Sequence, residues 1–473
     1  MTKIRTRFAP SPTGHVHVGG IRTALFAFLV ARHGDGQFIL RLEDTDKKRE
    51  VEGSNEHIIR SLKALGLNYD EGPDIGGPFA PYRQSERLDS YKKWAEKLIA
   101  AGRAYADPYT LEEVQRFRET AEQTKKPFRF RDYRPENPPT WDGTQPLRFK
   151  SDPKAYNWHD EVMGDLSSGP KVVDDFILIK SDGYPTYNFA HIIDDLEMEC
   201  THIIRGQEFL PSVPNYLNLY EALNIQPPVM ATVPHILNEA GNKKLGKRDG
   251  AKDVLDYLRD GILTEALINF IASMGWNDGT EQEIFSLDEL IAKFSLDRVQ
   301  KSGARFDEKR LTWMNSQWVK KLTLEELAKR ARGFWGEAGS SASGEEKLAV
   351  LAIVQERLKT LNDLPSLSEY FFCRPMPNWQ MVDDNKQLSK LTRGESVSLL
   401  EKSIIKLETI EWEEVKIQDA LNELLIEMNS KPMILFSIIR LALTWAPFSP
   451  GLPETMKLLG RDETLARLKT ACQ

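Results

Sequence analysis

The 473-residue chain is short of three things, and each shortage removes a class of protein. It holds only three cysteines, Cys200, Cys373 and Cys472, scattered singly along the sequence. They cannot build a disulfide framework or a four-cysteine metal site. No apolar run approaches the roughly 20 residues needed to span a bilayer, so no membrane partner is expected. After Met1-Thr2-Lys3-Ile4-Arg5 the chain runs directly into a strand pattern with no secretory leader, and the cytoplasm is the expected compartment. Basic charge is also not in excess: 63 Lys and Arg against 70 Asp and Glu leave a net charge of −7. Nucleic-acid partners usually leave a basic footprint, which argues mildly against one, although a local stripe suffices to neutralise phosphates. What is present, 41% hydrophobic and 28% charged residues, is ordinary globular composition, long enough for two or more domains.

The most informative stretch lies in the first fifty residues. Lys3 to Phe8 alternates polar and apolar residues as a strand does, and Ile21, Ala24, Leu25, Phe28 and Leu29 recur at helical spacing until Gly34 and Gly36. Between them runs Pro10-Ser11-Pro12-Thr13-Gly14-His15-Val16-His17-Val18-Gly19-Gly20. Two prolines stiffen this turn, its glycines let a ligand approach the backbone, and the helix start favours an anion. Strand, glycine-containing turn and helix together describe a nucleotide site, although any α/β crossover shares that outline.

Farther on, Gln37–Leu42 reads as a second strand ending in Glu43-Asp44-Thr45-Asp46, where acidic groups would face the ligand crevice. From about 81 the character changes. Arg116, Arg118, Lys125, Lys126, Arg129, Arg131 and Arg134 are interleaved with Phe117, Phe128, Phe130 and Tyr133. Such a stretch can pair with phosphates and stack on unpaired bases, or can be a solvated face with core aromatics. Strand patterns resume at 174–180, 201–205 and 228–233, with a helix containing His191, Asp194 and Asp195 between the first two. A basic loop, Lys244-Leu245-Gly246-Lys247-Arg248, follows. From Val254 onward the apolar spacing is helical. Thr323-Leu324-Glu325-Glu326 has capping-box spacing, residues 336–344 read as a flexible link, and helices are expected at about 345–364, 396–407, 413–429 and 431–445, with a short terminal helix after Pro453.

His17-Val18-Gly19-Gly20 resembles the first signature ("HIGH") of the class I aminoacyl-tRNA synthetases, and the preceding Phe-Ala-Pro-Ser-Pro-Thr-Gly is the wording of their glutamyl and glutaminyl branch. Lys244 to Arg248 is similar to the second signature ("KMSKS"), with Gly246 in place of the usual serine. His191 stands where that branch often carries asparagine. The all-helical tail resembles the bacterial glutamyl type, whereas glutaminyl relatives usually end in β-barrels.

The resemblance implies an α/β protein with five segments. These are a Rossmann-like nucleotide-binding domain in two halves (1–80 and 186–253), an inserted α+β acceptor-stem domain (81–185), a stem-contact domain (254–322) and an all-α anticodon-binding domain (323–473). It implies a monomeric ligase that forms glutamyl-adenylate from ATP and L-glutamate and passes glutamate to tRNA(Glu), with tRNA(Gln) left open as a second acceptor. A non-catalytic tRNA-binding paralogue is the alternative. By the same correspondence His17, Lys244 and Lys247 would be catalytic. Thr13, Gly19, Gly20, Glu208, Phe209, Leu237, Lys244 and Lys247 would bind ATP, with Mg²⁺ on its phosphates. Arg7, Ala9, Ser11, Glu43, Tyr187 and Arg205 would bind glutamate, and Asp46 and Arg357 would touch tRNA. Some relatives hold zinc in the insert with Cys and His ligands; residues 81–185 contain no cysteine, so neither zinc nor any other protein-held metal is expected.

Overall fold

A computed structural model describes residues 3–246, 252–446 and 448–473. By compactness the chain divides into two units, one of residues 1–257 with 267–307, the other of 258–266 with 308–473.

The first unit opens with β1 (Arg5–Phe8), α1 (Val18–His33) and β2 (Gln37–Leu40), in which β1 and β2 pair in parallel with Arg5 opposite Gln37 and Phe8 opposite Leu40. Ile21, Ala24, Leu25 and Leu29 are fully buried, each large side chain contributing roughly 1.5–3 kcal/mol. α2 (Ser54–Ala64) and α3 (Leu88–Ala100) follow, with Ile58 and Leu62 inward as their spacing requires.

Next come β3 (Ala104–Ala106), α4 (Leu111–Gln123), β4 (Leu147–Phe149), a hairpin of β5 (Tyr156–Asp160) and β6 (Gly164–Ser168), and β7 (Ile177–Ile179). β3, β4 and β7 form an antiparallel sheet. The strand read over 174–180 is thus antiparallel to β4 and does not join the parallel strands. One core runs from Tyr91 and Phe149 through Phe189 to Tyr216, so this sheet shares its interior with the elements that follow it.

Those elements are α5 (Tyr187–Glu197), β8 (His202–Gly206), α6 (Val213–Ala222), β9 (Val229–Val233) and β10 (Ile236–Leu237). β8 and β9 are parallel, and the Thr201 N–H donates to the Arg5 carbonyl at 2.9 Å, setting this pair beside β1. The ends of β1, β2 and β8 therefore point to one crevice, as a nucleotide-binding arrangement requires. α7 (Val254–Arg259) and α8 (Thr264–Ser273) lead to α9 (Leu287–Lys293) and β11 (Ala304–Arg305), which pairs with β10.

The second unit is helical: α10 (Glu308–Lys321), α11 (Leu324–Arg330), α12 (Gly336–Ser340), α13 (Gly344–Val354), α14 (Leu364–Phe372), α15 (Gln380–Asp383), α16 (Arg393–Leu407), α17 (Glu414–Glu427), α18 (Pro432–Thr444), α19 (Leu452–Leu459) and α20 (Arg461–Cys472). Three expectations are corrected here. The stretch read as a flexible link contains α12: Gly336 takes φ +69° against Pro365, and Gly339 is buried against Phe372 and Trp335. The helix read over 345–364 ends at Val354, because Leu358 is extended and tertiary bonds take over. Gln355 donates to the carbonyls of Val319 and Leu322, and Asn315 donates to that of Lys359. The end of the chain holds two helices, α19 and α20, where one short helix is expected. No described helix is long and apolar enough to cross a membrane.

Candidate functional site

A cleft of about 1150 Å³ opens at the strand ends and is lined by Arg7, Ala9, Pro10, Ser11, Thr13 and the residues up to His17, with Gly19 and Gly20. Glu43, Asp46, Tyr187, Arg205, Glu208, Phe209 and Lys244 complete it on the other sides. The loop can hug its contents because Gly14 takes φ +130°, a conformation that side-chain-bearing residues avoid. Most residues expected at the site from sequence therefore share one cavity.

At the nucleotide end, His17 is the N-cap of α1, and its Nδ1 accepts the Gly19 N–H at 3.0 Å. In the neutral ring this bond puts the proton on Nε2, which becomes a hydrogen-bond donor. Lys244 lies 3.1 Å from the Glu208 carboxylate, and His235 is 3.7 Å from the same group. The Lys244 backbone bridges Leu237, which holds the lysine at the rim although Leu237 itself does not line the cleft. An imidazole N–H, a helix start and a lysine suit a polyanion; Mg²⁺ would arrive on the triphosphate. Phe209 stacks on Tyr187 with ring centroids 5.0 Å apart and marks the passage to the inner end.

The inner end is a lattice of buried charge. Arg7 makes a two-pronged pair with Asp195, Nε to Oδ1 at 2.9 Å and Nη2 to Oδ2 at 3.2 Å. Arg41 reaches Asp195 at 2.7 Å and Glu43 at 3.0 Å, while Arg87 holds Asp194 at 2.7 Å. Three cations thus meet three carboxylates. Burial alone would raise the Asp195 carboxyl, but Arg41 and Arg7 hold it well below the usual carboxylate range. Burial prevails at Glu43, pushed up to about 7 against the opposing pull of Arg41 and Arg7.

Arg205, near the end of β8, is different. It is 5% exposed, its Nη1 has no hydrogen-bond partner, and no ion pair compensates it among the described residues. Its guanidinium lies over the Tyr216 ring at 5.0 Å. An uncompensated buried cation is costly, so the site is built for an anion. His191 is buried with neither ring nitrogen hydrogen-bonded, its Nδ1 3.8 Å from Asp195 Oδ2, and burial pushes it down to about 4, so it is neutral near pH 7.

Sequence reading left several participants without a role. Arg41, Asp194 and Asp195 order the inner end, and Arg22, a cleft-lining residue pushed down to about 10 by burial, donates to the Met274 carbonyl at 3.1 Å. In Leu40-Arg41-Leu42 and Asp194-Asp195 the only signal was charge inside an apolar pattern. Pro12, Val18 and Leu245 are buried loop supports outside the cleft lining. Lys247 and Arg248 lie outside the described residues. Arg357 is an exposed residue of the second unit, on a short 3₁₀ turn (Gln355–Arg357) rather than on the polar side of an α-helix.

Residues 3–313 match the family of tRNA synthetases class I (E and Q), catalytic domain, and residues 324–472 match an anticodon binding domain. The glutamate–tRNA ligase of Clostridium botulinum is 40% identical over 99% of this chain and 97% of its own length; that of Clostridium tetani is 39% identical over the same shares. A glutamate tRNA ligase from Elizabethkingia meningosepticum, solved in complex with its amino acid, superposes with a TM-score of 0.88 at 34% identity over 99% of both chains. A glutamate-tRNA synthetase from Elizabethkingia anophelis gives 0.86, also at 34% identity and 99% of both chains. On its cleft, its two matched segments and its relatives, this chain belongs to the class I tRNA synthetases of the glutamate and glutamine branch.

Proposed function

We propose that the chain is a glutamate–tRNA ligase that activates L-glutamate with ATP and transfers it to the 3′-terminal adenosine of tRNA(Glu). The observation that carries this reading is Arg205, a buried guanidinium in the cleft lining whose Nη1 has no hydrogen-bond partner. An acidic side chain completes it, whereas a neutral amide leaves the positive charge unmet. Glu43, at the same end, takes the ammonium group. Arg7 is largely committed to Asp195, so its part is to hold the lattice with Nη1 turned toward Ile204.

The α-carboxylate then attacks the α-phosphorus of ATP and pyrophosphate leaves. In the second step a terminal ribose hydroxyl attacks the acyl carbon, and AMP leaves. Both steps depend on positioning and on stabilising charge that grows on phosphate oxygens. His17 Nε2–H, Lys244 and Lys247 serve that purpose, with Thr13, Gly19, Gly20, Glu208 and Phe209 shaping the nucleotide end, Leu237 supporting Lys244 from outside the cleft lining, and Ala9 and Ser11 shaping the amino-acid end. Mg²⁺ enters as the counter-ion of ATP.

The antiparallel sheet and hairpin within 81–185 hold the acceptor end of tRNA, with Asp46 beside it. Segment 254–322 contacts the stem and 323–473 the anticodon, where Arg357 meets a base. The resemblance and the arginine-aromatic clustering support this division: Phe117 stacks on Tyr133 at 4.4 Å, and Arg118 lies over Phe128 at 5.4 Å. We take the enzyme to act as a monomer. The direct test is aminoacylation of separately purified tRNA(Glu) and tRNA(Gln) with labelled glutamate. Charging of tRNA(Glu) is expected, charging of both would make the enzyme non-discriminating, and charging of neither would remove the reading.

A further inference from the structure

We propose that His15, His57 and Asp253 form a binding site for a divalent transition metal, Zn²⁺ by its ligand chemistry. The reaction above makes no use of such an ion, so the inference stands apart from it.

Asp253 precedes α7, and its Oδ1 accepts the Leu255 N–H at 3.0 Å. That bond fixes the carboxylate and leaves Oδ2 facing two imidazoles, 2.7 Å from His57 Nε2 and 3.2 Å from His15 Nδ1. The two rings are stacked, with centroids 4.5 Å apart and planes 9° from parallel. All three donor atoms lie within 4.8 Å of one another. If both rings were protonated, two positive charges in van der Waals contact would share one carboxylate. If both are neutral, His57 can donate its Nε2–H to Oδ2 at 2.7 Å, and His15 Nδ1 brings a third polar atom to the same point. A divalent ion can take the place of that proton, and imidazole with carboxylate is a donor set that zinc accepts.

Two further features fit a metal centre. The Ser61 hydroxyl lies 3.4 Å from His57 Nδ1, one helical turn along α2, and steadies the ring from behind as outer-shell groups do. His57 is buried, whereas the His15 side chain is 66% exposed. The exposed ring can swing the short distance that tetrahedral geometry needs and leaves a fourth position to water. The expectation of no zinc rested on the missing cysteines of the insert. This cluster uses none, and its members are too far apart in sequence to show a spacing.

Its position gives the ion work to do. The Val254 N–H donates to the Val16 carbonyl at 3.1 Å, and Asp253 bridges His17. Zinc would therefore fasten the loop of the first signature to α2 and to the chain just past the second signature.

The test titrates metal-stripped full-length protein with Zn²⁺ against a chromophoric chelator, beside His15→Ala and Asp253→Asn. His15→Ala removes an exposed ring, and asparagine can still cap α7, so both variants should fold; thermal melts in EDTA confirm it. The wild type should bind about one Zn²⁺, release protons and gain thermal stability, and each variant should lose at least about tenfold in affinity. Wild-type binding no tighter than about millimolar, or binding that survives either substitution within about twofold, overturns the proposal.

Discussion

Arg205 and Arg7 are both buried arginines at strand ends, yet the fold leaves them different tasks. Arg7 spends its fork on Asp195, while Arg205 keeps a donor for what enters the cleft. Arg205→Gln should raise the glutamate KM by about 3 kcal/mol, roughly a hundredfold, with little change in the ATP KM; steady-state kinetics on each substrate separates the two, and equal effects would indicate a disturbed fold. Glu43 gives a second expectation. The groups facing it are Arg41, Arg7 and Asp195. Its folded pKa is raised, so the anion that receives an ammonium group is present above about 7 and lost as pH falls below it. Glutamate KM should therefore increase as pH drops from about 8 to about 6, and Glu43→Gln should flatten that dependence. His191, pushed down to about 4, stays neutral across this window and cannot produce the profile.

At the scale of elements, α1 joins folding to chemistry through one ring. His17 caps the helix with Nδ1, which in the neutral ring leaves the proton on Nε2. His17→Asn should keep a capping oxygen and hence the melting temperature, while kcat falls about a hundredfold. His17→Ala should lose both, the missing cap costing about 1 kcal/mol; calorimetry beside single-turnover kinetics tells these apart. The ends of β1, α1, β2 and β8 were legible because two periodicities met at a proline- and glycine-rich turn. The second unit was less so. Leu351, Val354, Leu358 and Leu361 are all buried, as their helical spacing says, yet the helix stops at Val354. Spacing reports which side is inward; it cannot report that the Gln355 and Asn315 side chains will find backbone carbonyls 33 to 44 residues away. The same limit hid Arg41, Asp194 and Asp195, whose meaning lies only in one another.

At the scale of the whole chain, the proposed reading puts the amino-acid site in the first compact unit and the anticodon contact in the second. Gln355 and Asn315 tie α10 and Leu322 to residues 355–359, so a cut near 322 would break contacts within the second unit. A point substitution is the cleaner probe. Arg357 is exposed, so Arg357→Gln should leave both the melting curve and ATP–pyrophosphate exchange unchanged. If the residue reads a base, discrimination between tRNAs differing at the last anticodon position should shrink by about tenfold; unchanged selectivity would return it to the solvated surface. The lattice of Arg7, Arg41, Arg87, Glu43, Asp194 and Asp195 has a consequence for how such an enzyme can change. Each charge is balanced by neighbours that are themselves buried, so any single replacement strands another charge before it offers a new ligand preference. Substrate preference at this end is consequently inherited as a block. A library that varies one position at a time will seldom yield a new preference, and a route to a different amino acid must alter paired positions together, starting from Arg205, whose loss strands no carboxylate among the described residues.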